Sequence, residues 1–440
     1  MISFMYRLNV GVQNRAEVLK VTSASVIGTV ADFYDFFVAG TASAIVWPIV
    51  FFPKSSPFAA LLFSILAYGV GYITRPVGGL IFGHMGDRMG RKSTLILTLL
   101  TMGIGTLGIA LTPGYASIGI MGALLIFVFR IVQGLGAGGE FGGAASLVAE
   151  FSKNSKHRAF WVSWVQQGFS IGITISALLW TYLLVSIPHP EFIAWGWRIA
   201  FYVGVVILLI GVVLRFAISE SPLFKEFVEK KALASRPSLE LIKTQWRKLL
   251  LLSLIPIPTV AGGVFVTTFT IPFSASLHIP PAFTSSTVVY GGLIGIFTIV
   301  AFALLSERIG RKKVIYISGL APALYAFLYL YMLSTGSYLL AGIGNVLYIV
   351  MSRFGSGAFP AVLTEDYPTR FRYSGSATSY SLAAVWGGSV IPLIATYLNG
   401  ALGGAAKSWP YVAVELFIFF TISAIAAIWV SETRSKDMAY

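Results

Sequence analysis

The sequence predicts an all-α membrane protein in which twelve transmembrane helices form two pseudo-symmetric six-helix bundles. Three observations predict this fold. Hydrophobic residues make up 56% of the 440 residues and charged residues only 11%, which is too apolar for a chain with a fully water-facing surface. Twelve apolar runs are long enough to cross a bilayer. A strongly charged turn between two such runs returns in the second half of the chain.

Each of the twelve runs holds about 20 or more mostly apolar residues, the length that a spanning helix requires. The breaks between them carry turn chemistry, as in Thr112-Pro113-Gly114. The first run is of spanning length, so we interpret it as a membrane helix and not as a cleavable signal. The predicted helices are 22–50, 57–83, 93–112, 118–149, 160–187, 195–218, 249–274, 284–306, 313–333, 337–364, 373–398 and 408–431.

The distribution of Lys and Arg predicts the orientation in the cell membrane. These residues are abundant before the first run and in every second loop, whereas the other loops hold only Lys54 and Lys407. This asymmetry predicts that both termini are cytoplasmic. The formal net charge of +14 is then a signal of topology, and it does not indicate a nucleic-acid partner. The chain has no cysteine, which excludes disulfides and thiolate metal sites.

The two halves of the chain carry matching motifs. The polar residues 219–248 lie midway and are interpreted as a cytoplasmic linker between an N-terminal bundle, 1–218, and a C-terminal bundle, 249–440. Parallel six-helix repeats predict a two-fold axis along the membrane normal and a substrate site between the halves. The matches, about 210–220 residues apart, are Gly83 to Lys92 with Ser306 to Lys313, Glu150 and Arg158 with Glu365 and Arg370, and Ser219-Glu220-Ser221 with Ser431-Glu432-Thr433.

These motifs resemble those of the major facilitator superfamily, whose loop between helices 2 and 3 is similar to Gly83-x3-Asp87-Arg88-x-Gly90-Arg91-Lys92. The resemblance covers most of the chain and implies the major facilitator fold. Stretches that resemble the metabolite:proton symporter family within it are Asp32-Phe33-Tyr34-Asp35-Phe36, Arg75-Pro76-Val77-Gly78-Gly79, Arg130-Ile131-Val132-Gln133-Gly134, Gly196-Trp197-Arg198-Ile199 and Tyr367-Pro368-Thr369-Arg370-Phe371-Arg372. Two positions depart from the pattern of these families: Asp32 stands where a glutamate is expected, and Glu307 where an aspartate is expected. Both keep the negative charge.

Ionisable residues at membrane depth are costly, and we treat them as functional candidates. Asp35 and Arg130 lie near the middle of helices 1 and 4 and resemble the carboxylate–arginine pair of proton-coupled superfamily members. An arginine stabilises the charged form of a neighbouring carboxylate only while the two are close, so a movement that separates them loads or releases a proton. A static buried pair is the alternative. Asp32 either shares the proton site or contacts Arg75 structurally.

Arg75 and Arg353 come from opposite halves and suggest an anionic substrate, because a guanidinium matches a carboxylate bidentately. Alternatively, either arginine braces Asp32 or Glu140. We expect Glu140 to be a structural partner and Glu415 to lie near the outer mouth of helix 12. The resemblance implies carriers of citrate, 2-oxoglutarate, dicarboxylates or shikimate, but also of proline and betaine.

Neutral polar and aromatic side chains within the predicted helices are further candidates for substrate contacts, although an aromatic residue at helical spacing more often packs in a core. A glycine-rich run, 134–139, satisfies G-x-G-x-x-G, but it lies inside an apolar span and is interpreted as small-residue helix packing. The candidate substrate contacts are Gln133, Gln166, Gln167, Tyr34, Tyr72, Trp164, Asn345, Tyr380 and Trp386.

The sequence therefore predicts a secondary active transporter, a monomer and not an enzyme, that works by alternating access with a proton as coupling ion and without another cofactor or a metal. The alternatives are a proton-linked sugar or compatible-solute carrier and a non-transporting receptor on the same scaffold. Charged residues at the cytoplasmic ends are predicted to latch the outward-open state. They are Asp87, Arg88, Arg91, Glu150, Arg158 and Glu220 in one half and Glu307, Arg308, Arg311, Glu365, Arg370 and Glu432 in the other.

Overall fold

The computed structural model describes residues 15–153, 155, 157–229 and 236–436. Within these ranges, twelve helices are long and apolar enough to cross a membrane, and no described residue lies in a strand. The predicted all-α fold with twelve spans is confirmed. Residues 230–235 of the predicted linker lie outside the described residues.

The membrane helices are numbered α1 to α12 in chain order. The first six are α1 (Ala16–Ile45), α2 (Pro57–Met89), α3 (Arg91–Leu111), α4 (Met121–Phe151), α5 (Arg158–Ser186) and α6 (Arg198–Phe216). The second six are α7 (Ile257–Ala275), α8 (Pro281–Ile309), α9 (Arg311–Ser334), α10 (Tyr338–Glu365), α11 (Thr369–Ala401) and α12 (Ala405–Trp429). Shorter helices are Trp47–Phe51, Tyr115–Ile118, His189–Glu191, Pro222–Glu229 and Pro237–Leu254.

An even number of spans brings both ends of the described chain to the same face of the molecule. We call it the basic face, and it carries Gly90, Gly310, residues 152, 153, 155 and 157, and the segments 217–229, 236–256 and 430–436. It is the face that the sequence predicts to be cytoplasmic.

The seventh span begins later than the predicted residue 249. Residues 249–254 end the helix Pro237–Leu254, and α7 starts at Ile257. Pro256 and Pro258 explain the interruption, because proline has no N–H with which to continue a helical ladder and is tolerated in a first turn.

Breaks in α2 and α10 lie beside Arg75 and Arg353. In α2 one helix ends at Ile73 and the next begins at Arg75, where Pro76 removes a backbone donor. In α10 the helix Tyr338–Ser352 is followed by a 3₁₀ turn at Gly355–Gly357. Irregular turns within long helices are often found at functional sites. Arg75 therefore begins the second segment of α2, and Arg353 directly follows the first segment of α10, so each lies at an interruption of regular helix.

The two bundles meet along α1 with α7, α2 with α11, α4 with α11, and α5 with α8. Small residues allow the close approach. Gly142 of α4 lies against Ala377 of α11, and a Cβ on Gly83 of α2 would come within 2.6 Å of the Ser374 Cα. Within the glycine-rich run 134–139, a Cβ on Gly138 would come within 2.1 Å of the Arg75 carbonyl oxygen of α2, so this run also packs helices closely, as its small residues predicted.

Candidate functional site

The interior of the two bundles holds five charged residues that were predicted as proton or substrate contacts. Four of them, Asp32, Asp35, Arg75 and Arg130, belong to the N-terminal bundle, and Arg353 belongs to the C-terminal bundle. Each is at most 1% exposed. A buried charge must be paired and hydrogen-bonded to be stable, so the partners of these five residues define what the site can do.

Asp35 and Arg130 are joined through Gln133 and make no direct ion pair with each other. Gln133 Nε2 donates to Asp35 Oδ2 at 2.6 Å, and Gln133 Oε1 accepts from Arg130 Nη1 at 2.8 Å. Thr106 Oγ1 donates to Asp35 Oδ1 at 2.8 Å, and Arg130 also donates to the Tyr68 carbonyl at 2.8 and 3.2 Å. The predicted direct pair is thereby corrected to a three-residue relay across α1 and α4.

Gln133 can sit between the two charges because it lies one turn from Arg130 on α4. Its amide carries both an acceptor and a donor, so it faces the guanidinium with oxygen and the carboxylate with nitrogen. The sequence placed Gln133 among the substrate contacts, whereas in the structure both its polar atoms are used inside the relay.

Asp32 makes an ion pair with Arg75, with 3.0 Å between Asp32 Oδ1 and Arg75 Nη2. Of the two roles left open for Asp32, the structure shows the contact with Arg75. The pair is not saturated, because Asp32 Oδ2 and Arg75 Nε have no hydrogen-bond partner in the described part of the chain. The Phe36 ring lies 3.8 Å from the Arg75 guanidinium and 4.5 Å from that of Arg130.

Glu140 is bound by Arg215 and not by either candidate arginine. Arg215 Nη2 lies 2.5 Å from Glu140 Oε1, and Thr98 Oγ1 donates to Glu140 Oε2 at 2.7 Å. The expectation that Glu140 is a structural partner thus agrees with its contacts within one bundle. Arg215 was missed because it lies in the last turn of α6, where a basic residue is ordinary, and its burial shows only in the packed structure.

Arg353 has no carboxylate partner within the described residues. Its guanidinium lies 3.6 Å from the centre of the Phe169 ring, and it donates to the Thr259 carbonyl and to Ser352 Oγ. Arg353 Nη1 has no partner in the part of the chain that the structure describes. A guanidinium stays charged in a protein, so one positive charge in the C-terminal bundle is uncompensated.

Other unpartnered polar atoms accompany this charge. Tyr380 of α11 has a buried hydroxyl without a partner among the described residues and is an electrostatic neighbour of both Arg75 and Arg353. Its ring packs with those of Phe141 and Phe359, with centroid distances of 3.9 and 5.8 Å. The Gln166 side chain approaches the Tyr380 hydroxyl closely enough to interact with it, but neither Gln166 amide atom makes a hydrogen bond of good geometry in the described chain, and Gln167 Oε1 is likewise unpartnered there.

Three other predicted substrate contacts, Tyr34, Tyr72 and Asn345, have hydrogen-bond partners within their own bundle. Tyr34 donates to the Ala200 carbonyl at 2.8 Å, and Tyr72 shares a 3.0 Å hydrogen bond with Tyr68. Asn345 bonds Tyr329 and Thr287 inside the C-terminal bundle.

Two predicted tryptophan contacts face away from the arginines. Trp386 is 40% exposed and packs on Phe419, and Trp164 lines a surface groove with Leu19 and Ser23. The structure does not bring these two tryptophans to the site, because the rotation of each helix turns them elsewhere.

At the basic face the first charged motif forms a network across the bundles. Arg91 Nη2 lies 3.3 Å from Asp87 Oδ1 and 3.2 Å from Glu150 Oε1. Arg372 of the other bundle also reaches Glu150 Oε1, at 3.2 Å. Asp87 accepts from the backbone N of Tyr373 and Ser374 and from Ser374 Oγ, at 3.2, 2.9 and 2.7 Å.

The second motif repeats this arrangement with the bundles exchanged. Arg311 contacts Glu307 at 3.0 Å and Glu365 at 3.4 Å, and Arg158 of the N-terminal bundle reaches Glu365 at 2.6 Å. Glu307 accepts from the backbone N of Ala159 at 2.8 Å.

One further glutamate in each half completes its copy of the motif. Glu220 accepts from the first backbone N–H groups of α3 at 3.0 and 3.1 Å, and Glu432 does the same for α9 at 3.1 and 3.3 Å. A carboxylate at a helix N-terminus satisfies free donors and complements the helix dipole.

Three predicted latch residues lie outside this network. Arg88 and Arg308 are exposed, and neither side chain makes an ion pair within the described ranges. Arg370 pairs with Glu240 of the helix Pro237–Leu254 at 2.9 Å, but it is about half exposed. The sequence could not separate Arg88 from Arg91, or Arg308 from Arg311, because the motif places each pair within one turn.

The chain matches the sequence model of the Major Facilitator Superfamily over residues 27–382. It is 36% identical over 427 residues to the inner membrane metabolite transport protein YhjE of Escherichia coli, covering 95% of both chains. It is 33% identical to the shikimate transporter of Escherichia coli, covering 93% of this chain and 94% of that one. It is 28% identical to the proline/betaine transporter of Salmonella typhimurium, covering 95% and 84%.

The fold is that of a solved structure, the proton:xylose symporter XylE bound to 6-bromo-6-deoxy-D-glucose. The TM-score is 0.75 at 18% identity, over 97% of this chain and 98% of that one. With the twelve spans, the crossing charge network and these relatives, the chain is a multi-pass membrane transporter and not an enzyme, and it belongs to the Major Facilitator Superfamily.

Proposed function

We propose that the chain is a proton-coupled symporter that imports a small organic anion. The observation that carries this proposal is the uncompensated guanidinium of Arg353, buried at the junction of the bundles with Nη1 unpartnered among the described residues. Burying a charge without a counter-charge is costly unless a ligand supplies one. A carboxylate of the substrate is the simplest ligand that does so.

The groups around Arg353 suit an anion with additional polar atoms. Tyr380 and Gln166 provide unpartnered buried donors and acceptors, and Arg75 keeps a free Nε although Asp32 binds its other end. Arg75 and Arg353 belong to different bundles, so a substrate that contacts both would be sensed by both halves. This arrangement fits alternating access around a central site.

The relay of Asp35, Gln133 and Arg130 supports proton coupling. In the present arrangement the carboxylate receives hydrogen bonds from Thr106 and Gln133 and only indirect help from Arg130. A movement of α4 relative to α1 that brings Arg130 to Asp35, or withdraws Gln133, changes how strongly Asp35 holds a proton. Such a change is what couples a proton to a conformational cycle.

The network at the basic face supports the gating part of the proposal. Its ion pairs and hydrogen bonds cross between α2, α4 and α5 on one side and α8, α10 and α11 on the other. They close this face of the molecule. If the basic face is cytoplasmic, as the distribution of Lys and Arg predicts, the network is the latch of the outward-open state. Helix Pro237–Leu254 packs on α2 and α11 and moves with that gate.

A second candidate is a carrier of a zwitterion such as proline or betaine. Asp32 Oδ2, unpartnered within the described residues, offers a negative partner for an ammonium group while Arg353 holds the carboxylate. The named relatives include both a shikimate transporter and a proline/betaine transporter. All of the named relatives are transporters, which favours transport over the receptor alternative.

The proposal is tested by uptake into proteoliposomes with and without an imposed pH gradient. A thermal-shift screen on the purified protein with shikimate, citrate, 2-oxoglutarate, xylose, proline and betaine first identifies the ligand, because a ligand that binds the native state raises the melting temperature. We expect a carboxylate to raise it and the pH gradient to drive accumulation of that carboxylate. A shift by xylose alone, or uptake indifferent to the pH gradient, would contradict the proposal. A shift by proline and betaine alone would support the zwitterion carrier.

A further inference from the structure

Glu415 is a buried acid in the C-terminal bundle that the proposed function does not use. It is 6% exposed, whereas its helix neighbours Val414 and Ile418 are 43% and 50% exposed on the outer surface. The side chain therefore points into the bundle. Glu415 lies ten residues after Ala405, the first residue of α12, which is about 15 Å of helix. The sequence predicted Glu415 near the outer mouth of helix 12, and the structure adds that its side chain is buried within the bundle.

The carboxyl group of Glu415 is isolated from charged groups. Neither oxygen has a hydrogen-bond partner in the described chain, and no ion pair to Glu415 is formed there. Helix α7, which packs on α12, has no titratable side chain within Ile257–Ala275. Tyr411, one turn earlier on α12, and Tyr316 and Tyr331 of α9 are exposed. The buried tyrosines on the neighbouring helices are Tyr325 and Tyr329 of α9 and Tyr348 of α10. The other titratable groups on the packed elements lie towards either end: Tyr397 of α11, Arg311, Lys312 and Lys313 of α9, and Glu240, Lys243, Arg247 and Lys248 of the helix Pro237–Leu254.

An isolated carboxylate in this position would be a buried, uncompensated negative charge. Its free-energy cost is several kcal/mol or more in an apolar environment, and such groups take up a proton instead. The surroundings of Glu415 therefore favour its protonated form in this conformation. The contrast with Glu140 is direct, because Glu140 is equally buried but has Arg215 and Thr98 as partners.

Tyr348 connects Glu415 to the proposed anion site. It is fully buried, and its hydroxyl has no partner among the described residues. Its ring stacks on Tyr329 at 4.3 Å and lies 6.4 Å from Phe420 of α12. Tyr348 is an electrostatic neighbour of both Glu415 and Arg353. Tyr329 does not provide this connection between Glu415 and Arg353, because its hydroxyl is hydrogen-bonded to Asn345 and Thr270.

We propose that Glu415 is a second proton-binding site, linked through Tyr348 to anion binding at Arg353. This link rests on the proposed function, because it takes Arg353 as the residue that holds the anion. When Glu415 is protonated, no protein charge competes for Arg353. When Glu415 loses its proton, a negative charge on the Tyr348 side of Arg353 weakens anion binding. Linkage is reciprocal, so a bound anion favours the protonated form of Glu415 by the same factor.

The proton site is tested without any ligand on the purified protein in lipid. Infrared spectra report the carbonyl stretch of a protonated carboxylic acid, and we expect Glu415→Gln to remove a band that persists above neutral pH. The matched control is Glu191→Gln, the same change at an exposed acid. The melting temperature gives a second measurement. It should fall more steeply with rising pH in the wild type than in Glu415→Gln, because only in the wild type does unfolding expose the acid and release its proton. An unchanged band together with unchanged melting profiles would overturn the proton site.

The link to Arg353 is tested with shikimate as the anionic probe. The Kd of the wild type should rise with pH by up to about tenfold per pH unit for one linked proton. Glu415→Gln should flatten this dependence, and Tyr348→Phe should do so partly. An equal pH dependence in wild type and Glu415→Gln would overturn the link. If shikimate fails to bind the wild type, the proposed function and the link lose their support together, while the infrared and melting results still decide the proton site.

Discussion

The two halves of the molecule match at the basic face and differ in the interior. At the basic face, Arg91 and Arg311 each bridge two acids of their own bundle, and each copy has an acid that an arginine of the other bundle reaches. Even the glutamates that accept from the first N–H groups of α3 and α9 correspond.

The interiors of the two bundles differ in whether their buried charged residues have partners of opposite charge. In the N-terminal bundle, Asp32 pairs with Arg75, and Asp35 reaches Arg130 through one glutamine. In the C-terminal bundle Arg353 has no acid and Glu415 no base in the described chain. A closing device has to hold both halves equally, which favours symmetry. Selection and coupling require groups whose charge is completed only by a substrate or a proton, which favours the asymmetry seen here.

The largest expected effect concerns proton coupling by Asp35 in the N-terminal bundle. Asp35→Asn removes the titrating group of the relay but keeps a side chain that can still bond Thr106 and Gln133. We expect pH-driven accumulation in proteoliposomes to be abolished while counterflow exchange of the same substrate continues. Glu191→Gln, an exposed acid changed in the same way, should leave both activities intact. Uphill uptake at the wild-type rate in Asp35→Asn would exclude the role of Asp35.

The next effect concerns the uncompensated charge. Arg353→Ala should weaken binding of the carboxylate found in the thermal-shift screen by about 1.5–3 kcal/mol, the range for hydrogen bonds to charged groups, which is about ten- to hundredfold in Kd. Arg353→Lys keeps the charge without the planar fork and should fall between. Calorimetric titration measures both. Kd values within twofold of the wild type in Arg353→Ala would remove the basis for the anion.

Two matched substitutions test whether the two copies of the motif hold the basic face equally. Asp87 accepts three hydrogen bonds from the opposite bundle, whereas Glu307 accepts one. We therefore expect Asp87→Asn to open the basic face more than Glu307→Gln does. Because the chain has no cysteine, spin labels placed at Arg88→Cys and Arg308→Cys report the distance between the bundles on a clean background.

The labelled protein with an unchanged network is the reference for that experiment. Distance distributions that shift equally from the reference in both variants would show that the two copies hold the gate equally, against the count of crossing hydrogen bonds. A distribution identical to the reference in both variants would show that neither acid holds the gate.

The sequence predicted the architecture and the repeated latch more completely than it predicted the contacts within the site. Apolar length and the spacing of Lys and Arg are local properties, so the ends of the twelve spans were predicted to within six residues except where Pro256 and Pro258 divide α7 from the preceding helix. The position of Gln133 between Asp35 and Arg130 depends on how α1 and α4 are rotated against each other. The same is true of Arg215 beside Glu140 and of the inward direction of Glu415, and rotation of one helix against another is not encoded in a single motif.

The smallest expected effect tests where the latch ends. Arg88 and Arg308 belong to the motif by sequence, yet both are exposed and make no ion pair in the described residues. Exposed charges away from a partner contribute within about 0.5 kcal/mol, so Arg88→Ala and Arg308→Ala should leave uptake and melting temperature close to those of the wild type. Arg91→Ala and Arg311→Ala are the matched buried changes. Each leaves two acids of its own bundle without that partner, and removing one member of a buried pair costs about 3–5 kcal/mol. A loss in Arg88→Ala comparable to that in Arg91→Ala would mean that the network rearranges during transport to recruit the exposed arginine.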